Sequence, residues 1–220
     1  LKDTKNTVEN STFRIGKWFP DLSEETVKLL SKYNDEIIRF NKAINLVSSK
    51  TLPMADLLHF SDSILASRAV LLDAGNINEI FDLGSGSGFP GLVFAVLNQQ
   101  IQVKLVESDF KKCEFLKHMV ATLDLKNVVV LNQTLETLGE SSIKCCFARG
   151  LSTISKSLFL MRKAVVPGGS FYHLKSEEWS MEIGEIPSQL CSIWAPSLVT
   201  EYRLPMGEIK FSIVKTIKIK

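Results

Sequence analysis

The 220-residue chain predicts an α/β fold: a mostly parallel sheet with helices on both faces, closed by a C-terminal antiparallel hairpin and preceded by an N-terminal helical extension. Two observations carry this. Downstream of residue 76, five short apolar runs alternate with helical stretches, the pattern of strands joined by right-handed crossovers. After the first run comes Glu79-Ile80-Phe81-Asp82-Leu83-Gly84-Ser85-Gly86-Ser87-Gly88-Phe89-Pro90-Gly91, which reads as a strand end, a glycine turn and a helix start. We expect a helical extension over 1–75 packed on a single compact unit over 76–220. An apolar fraction of 45% is enough for a real core.

Residues 1 to about 12 are polar and expected to fray. Asp21 and Ser23 offer N-caps to an amphipathic helix with Val27, Leu30, Ile37 and Phe40 on one face. Leu57 to Leu65 reads as a second helix, in which His59, Asp62 and Ser63 at i, i+3 and i+4 share a face. On their own, a His and an Asp so placed read more simply as a structural hydrogen bond than as a catalytic dyad. Leu92 to Leu97 continues a helix after the glycine turn, and Ile101 to Val106 is a second strand ending at Glu107. Lys111, Lys112, Phe115, Leu116 and Met119 belong to the next helix. A third strand spans Asn127 to Leu131, and a fourth, Lys144 to Phe147, delivers Arg149 at its carboxyl end. A helix is expected from about Ser152 to Val165, broken by Pro167-Gly168-Gly169 before a fifth strand, Ser170 to Lys175. Apolar runs near Leu198 to Leu204 and Phe211 to Ile219 form the hairpin.

The glycine turn presents backbone N–H groups to a ligand at the carboxyl end of a strand, where open α/β sheets bind nucleotides. Gly86-Ser87-Gly88-Phe89-Pro90-Gly91 is a literal G-x-G-x-x-G, with Glu107 at about the ~20-residue offset of a ribose-binding acid. The first glycine after the strand is nevertheless Gly84, and Asp82 stands at the strand tip. A carboxylate there disfavours a pyrophosphate and favours a cationic ligand. S-adenosylmethionine is such a ligand, and its ribose diol suits Glu107. The Asp82-Leu83-Gly84-x-Gly86-x-Gly88 order is similar to the first motif of the Rossmann-like, class I methyltransferases.

A net charge of +2 does not announce a nucleic-acid binder, so any basic surface must be local. Cys113, Cys145, Cys146 and Cys191 form no C-x-x-C pair, which excludes the common zinc spacing and points to reduced thiols. No apolar run reaches the ~20 residues of a membrane span, so a cytoplasmic protein with no membrane partner is expected; the small positive charge and the few aromatics inferred to be exposed add the expectation of a monomer.

From about residue 24 onward the chain resembles one family, the bacterial small-subunit ribosomal RNA methyltransferases called RsmG or GidB. The resemblance rests on Asn45-Leu46-Val47-Ser48, His59-x-x-Asp62-Ser63, the glycine motif, Glu107-Ser108 with Lys111-Lys112, Leu135-Glu136, Arg149 and Leu174-Lys175. It implies methyl transfer from S-adenosylmethionine to N7 of a guanine in the decoding region of 16S ribosomal RNA. By that analogy Gly84 and Phe89 line the cofactor, Glu107 holds the ribose, Leu135 and Glu136 flank the adenine, and Arg149 sits at the mouth. The family's upstream His and Asp match His59 and Asp62. The chain departs from the family pattern at Leu58 and Thr134, where the family has arginine. It departs again in Ala148-Arg149-Gly150 for Ser-Arg-Ala and at Ser176 for glycine.

Guanine N7 carries a free lone pair, so its methylation asks for alignment and exclusion of water, not for a general base. Asp62 or Glu136 is expected to steady the positive charge that passes to the base, and Arg149 and Lys175 to donate to its Hoogsteen edge. Phosphate contacts are expected from Lys42, Lys50, Arg68, Lys111, Lys112 and Lys156, each of which alone reads as a solvated surface charge. Three other readings stay open on the residues alone. They are methylation of a small molecule or protein, an NAD-dependent oxidoreductase, and a non-catalytic RNA-binding module.

Overall fold

A computed structural model describes residues 13–220; the expectation for residues 1–12 lies outside the described residues. Seven strands form one sheet in the order β3-β2-β1-β4-β5-β7-β6. They are β1 (Glu79–Leu83), β2 (Gln102–Glu107), β3 (Val128–Asn132), β4 (Ile143–Arg149), β5 (Val165–Lys175), β6 (Trp194–Arg203) and β7 (Lys210–Lys218). The first five pair in parallel, and β7 runs antiparallel to both β5 and β6. The reversal of strand order between β1 and β4 puts a crevice at the carboxyl ends of those two strands.

Side chains alternate across the sheet into two apolar cores. Ile80, Leu105, Cys145, Phe147, Tyr172 and Ile213 enter one core; Phe81, Val106, Cys146, Ala148, Phe171 and Val214 enter the other. Cys145 and Cys146 therefore point to opposite faces, and all four cysteines are free. The first core is covered by α1 (Ile15–Trp18), α2 (Glu24–Phe40), α3 (Asp62–Ala74), α4 (Gly91–Leu97) and α5 (Phe110–Thr122). The second is covered by α6 (Ile154–Met161) and by α7 (Trp179–Gly184) and α8 (Ser188–Cys191), two short helices that the sequence pattern did not predict. No described helix is long and apolar enough to cross a membrane.

The local signals explain most boundaries. Ser23 caps α2 by accepting from the Thr26 N–H, and the buried stripe of that helix is Leu30, Tyr33 and Ile37. Asp109 caps α5 and Thr153 caps α6 in the same manner. Three expectations need correcting. The segment Asp56–Ser61 is wound as a π-helix before α3 begins, so the second predicted helix changes pitch within itself. The helix expected to reach Val165 stops at Met161, because Val165 is already paired with Ile143. Pro167-Gly168-Gly169 does not precede β5 but lies within it, at a register shift where the pairing jumps from Val165 to Ser170 and no ladder N–H is required of the proline.

Candidate active site

The glycine turn folds over the end of β2. The Gly84 and Ser85 N–H groups both donate to the Val106 carbonyl, at 2.9 and 3.0 Å, and the Gly88 N–H donates to the Ser85 carbonyl at 2.7 Å. Gly84 has φ +71°, and a Cβ there would stand 2.7 Å from Leu151 Cδ1, so a side chain would close the crevice between β1 and β4. Glu107 reaches into the turn: its Oε2 accepts the Gly86 N–H and its Oε1 the Asp109 N–H, both at 2.8 Å. Gly84, Glu107, Leu135, Glu136, Leu151 and Lys156 line a pocket of about 380 Å³ here. Thr134 stands on the same wall.

Asp82 is not on that wall. It is 1% exposed beneath the turn, where Oδ2 accepts the Gly91 N–H at 3.0 Å and pins the start of α4. Burial pushes its carboxyl up to about 7, against the lowering pull of the Gly91 N–H and of Arg149. Its Oδ1 is buried with no partner in the protein. Phe89 is likewise withdrawn from the pocket, stacked between Tyr33 at 5.1 Å and His59 at 5.3 Å, with Phe60 edge-on at 4.9 Å. Gly88 lies against Tyr33, whose hydroxyl donates to the Ser87 carbonyl at 2.5 Å.

A separate polar cluster forms around Arg149 at the end of β4. Nη1 donates to Asp62 Oδ2 at 2.8 Å, Nη2 meets His59 Nδ1 at 3.2 Å, and the guanidinium lies over the Phe89 ring. Arginine has no acceptor, so His59 Nδ1 must accept and Nε2 carries the proton, which it donates to Thr51 Oγ1 at 3.0 Å. Burial, and then the Arg149 charge, pushes the His59 imidazole down to about 3, so the ring is neutral and fully engaged. Asp62 is 1% exposed, and its second oxygen accepts from Tyr202 of β6 at 2.6 Å. Burial and the Asp62 carboxylate push the Tyr202 phenol up.

Arg149 and Asp62 share a second pocket, of about 320 Å³, with Lys175 and Glu182. Lys175 is not a free cation there: Nζ donates to the Ser152 carbonyl at 2.7 Å and pairs with Glu182 at 2.8 Å. Among the predicted phosphate contacts, Arg68 is paired with Asp21, and Lys156 borders the first pocket.

The structure thus gathers Gly84, Glu107, Leu135 and Glu136 in one pocket, His59, Asp62 and Arg149 in one cluster, and Lys175 across the second pocket. Sequence reasoning missed Tyr202, which arrives 140 positions after Asp62, and also Thr51 and Glu182, which lie close in sequence to their partners His59 and Lys175. It also missed Tyr33, which the spacing Leu30-Tyr33-Ile37 already put on the buried stripe. No group of described His, Cys, Asp and Glu residues has the arrangement of a metal centre.

The strand order, the glycine turn and an acid at the end of β2 holding that turn together define a class I methyltransferase that uses S-adenosylmethionine. The residues fit that cofactor: the turn has no room for a Cβ at Gly84, and the Glu107 carboxylate lines the pocket. Solved structures agree on the fold; a SAM-dependent methyltransferase from Aquifex aeolicus matches with a TM-score of 0.52 at 17% identity, over 69% of this chain and 89% of that one.

Residues 26–196 match the family GidB, described as rRNA small subunit methyltransferase G. The chain is 56% identical over 207 residues to ribosomal RNA small subunit methyltransferase G 3 of Bdellovibrio bacteriovorus, covering 94% of each. It is 32% identical over 178 residues to ribosomal RNA small subunit methyltransferase G of Paramagnetospirillum magneticum, covering 76% of this chain and 84% of that protein. The chain belongs to the GidB family of rRNA small subunit methyltransferases.

Proposed function

We propose that this methyltransferase acts on N7 of a guanine in the decoding region of 16S ribosomal RNA, on the small ribosomal subunit, as a cytoplasmic monomer. The observation that carries the reading is the Arg149 cluster, which opens on the second pocket through Arg149 and Asp62 and offers no free base. His59 is neutral with both nitrogens bonded, and Asp62 is committed to Arg149 and Tyr202. A site built this way suits a nucleophile that brings its own lone pair.

S-adenosylmethionine supplies, when bound, a methyl group made electrophilic by its sulfonium. In the proposed assignment Glu107 takes the ribose diol and Leu135 and Glu136 flank the adenine, while Gly84 and Gly86 leave room for the ligand and Gly88 packs against Tyr33 and Leu92. Asp82 and Phe89 support the turn from beneath, Asp82 with an acceptor to spare. Arg149 donates to the base, His59 and Asp62 fix its guanidinium, and Asp62 steadies positive charge as it passes to the purine. Lys175 is the second cation of the base pocket.

Loss of the Glu107 carboxylate tests the cofactor half of this assignment. Charge-assisted hydrogen bonds contribute about 1.5–3 kcal/mol each, so Glu107→Ala is expected to weaken S-adenosylmethionine binding by about 10–100-fold in calorimetry. Unchanged affinity would remove Glu107 from the role.

The reaction itself is tested by transferring labelled methyl to small subunits from a strain lacking the modification and identifying the labelled nucleoside. The expected product is 7-methylguanosine; label in any other nucleoside, or in protein, overturns the reading. With cofactor saturating, the single-turnover rate is expected to show no rising limb near pH 6.5 from His59, whose neutral form already dominates there. A limb at that pH that vanishes in His59→Gln would make the imidazole a base after all.

A further inference from the structure

The second pocket carries more information than its three predicted residues, Asp62, Arg149 and Lys175. Across it from Arg149 lies the Lys175–Glu182 pair, joined at 2.8 and 3.0 Å and set where β5 ends against α7 and the start of α6. Counting donors and acceptors shows what the pair still has to give. The Lys175 ammonium carries three N–H groups, one donated to the Ser152 carbonyl at 2.7 Å and the other two to the two oxygens of Glu182. Glu182 Oε2 accepts both Lys175 and the Ile154 N–H, at 2.8 and 2.7 Å, whereas Oε1 accepts Lys175 alone, at 3.0 Å. Glu182 Oε1 therefore keeps a free lone pair, and its 3.0 Å contact is the longest of the three that Lys175 makes, so a ligand acceptor that takes over that N–H meets a donor and an acceptor side by side, in a pocket at the lower end of the ~300–1,000 Å³ range of small-ligand sites.

We infer that Lys175 and Glu182 read the position-6 and position-1 atoms of the target base, and so determine that it is guanine. The inference rests on the N7 reading above. If N7 must face the methyl donor, that atom cannot be spent on recognition, and discrimination has to fall on the neighbouring edge. With N7 so oriented, guanine sets its O6 acceptor toward the Lys175 donor and its N1–H donor toward the Glu182 acceptor. Adenine in the same pose brings an amino group to the ammonium and a lone pair to the carboxylate, which leaves four polar groups mismatched in a shielded site. Sites built to hydrogen-bond a particular edge reject the wrong one strongly for this reason. Glu182 is placed by α7 and gives the α6 N-terminus an acceptor, so the reader is braced from two helices.

The test uses small subunits assembled with 16S rRNA in which the nucleotide that the wild-type enzyme labels is guanine, inosine or 2-aminopurine. Inosine keeps O6 and N1–H; 2-aminopurine has neither but keeps N7. Wild-type enzyme is expected to methylate inosine within a few-fold of guanine and 2-aminopurine about 10–100-fold more slowly in kcat/KM. Glu182→Gln is expected to lose a similar factor on guanine with cofactor affinity unchanged. It should lose little further on 2-aminopurine, because the analogue has already removed the N1–H contact that the variant disrupts. Independent, multiplying losses overturn the inference, as does a Glu182→Gln variant that is fully active on guanine. Should that variant fail to fold, the wild-type series decides: 2-aminopurine methylated as fast as guanine overturns it. Failure of the wild type to give 7-methylguanosine on guanine is a distinct result, which takes down the N7 reading and this inference together.

Discussion

Arg149→Met is expected to destabilise the protein by about 3–5 kcal/mol and to lower methyl transfer by about 10²–10³-fold. The stability loss follows from Asp62. Its carboxylate is 1% exposed and relies on the guanidinium at 2.8 Å for its opposite charge, with only the Tyr202 hydroxyl left when that is gone. A buried carboxylate stripped of its partner costs far more than the pair contributes over two apolar groups. Adding Asp62→Leu to Arg149→Met is therefore expected to recover most of the lost stability in urea unfolding while methyl transfer stays low. Recovery of both together would show that Arg149 serves the fold alone; recovery of neither would show that the pair is not the source of the loss.

Gly88→Ala is expected to cost about 2–6 kcal/mol, made up of ~1–3 kcal/mol of backbone strain and ~1–3 kcal/mol of overpacking. Gly88 sits at φ +94°, and a Cβ there would meet Leu92 Cδ1 at 2.5 Å and the Tyr33 hydroxyl at 2.6 Å. Tyr33 has no room to yield, since it is fully buried, stacked on Phe89 and bonded to the Ser87 carbonyl. Gly75→Ala separates the two contributions. Its φ is +67° with nothing within 4 Å of the added atom, so only the strain applies and the cost should be about half or less. Equal urea midpoints for the two variants would rule out the packing contribution at Gly88.

What could be read from the chain was local. Gly84, Gly86 and Gly88 specify their turn by backbone geometry, and Glu107 follows because a strand of known length carries it to the same sheet edge. Ser23 declared the start of α2 through its own hydroxyl. The polar cluster was half legible: His59 and Asp62 are neighbours in sequence, but the residues that set their protonation and geometry come from far away. Tyr202 lies 140 positions from Asp62 and reaches it only because β6 is the outer strand of a hairpin whose register no local signal fixes. Glu182 was hidden for a different reason. It belongs to a six-residue helix too short to show a period, and its partner Lys175 reads as a donor to the base with no acid beside it in view. Asp82 was assigned to the ligand side of the turn, whereas the need to hold the Gly91 N–H turns it inward.

The strand order also sets a timetable. β7 is synthesised after β6 yet lies between it and β5, so β6 has no sheet to join until β7 has emerged and paired. Tyr202 rides on β6 and supplies the hydrogen bond to Asp62. While the chain is still being translated, the arginine cluster is thus incomplete even with every parallel strand formed. An enzyme whose substrate is ribosomal RNA begins life attached to a ribosome. Here the contacts of Asp62 with Arg149 and Tyr202 are complete only once the residues of β7 are clear of the machine that makes them.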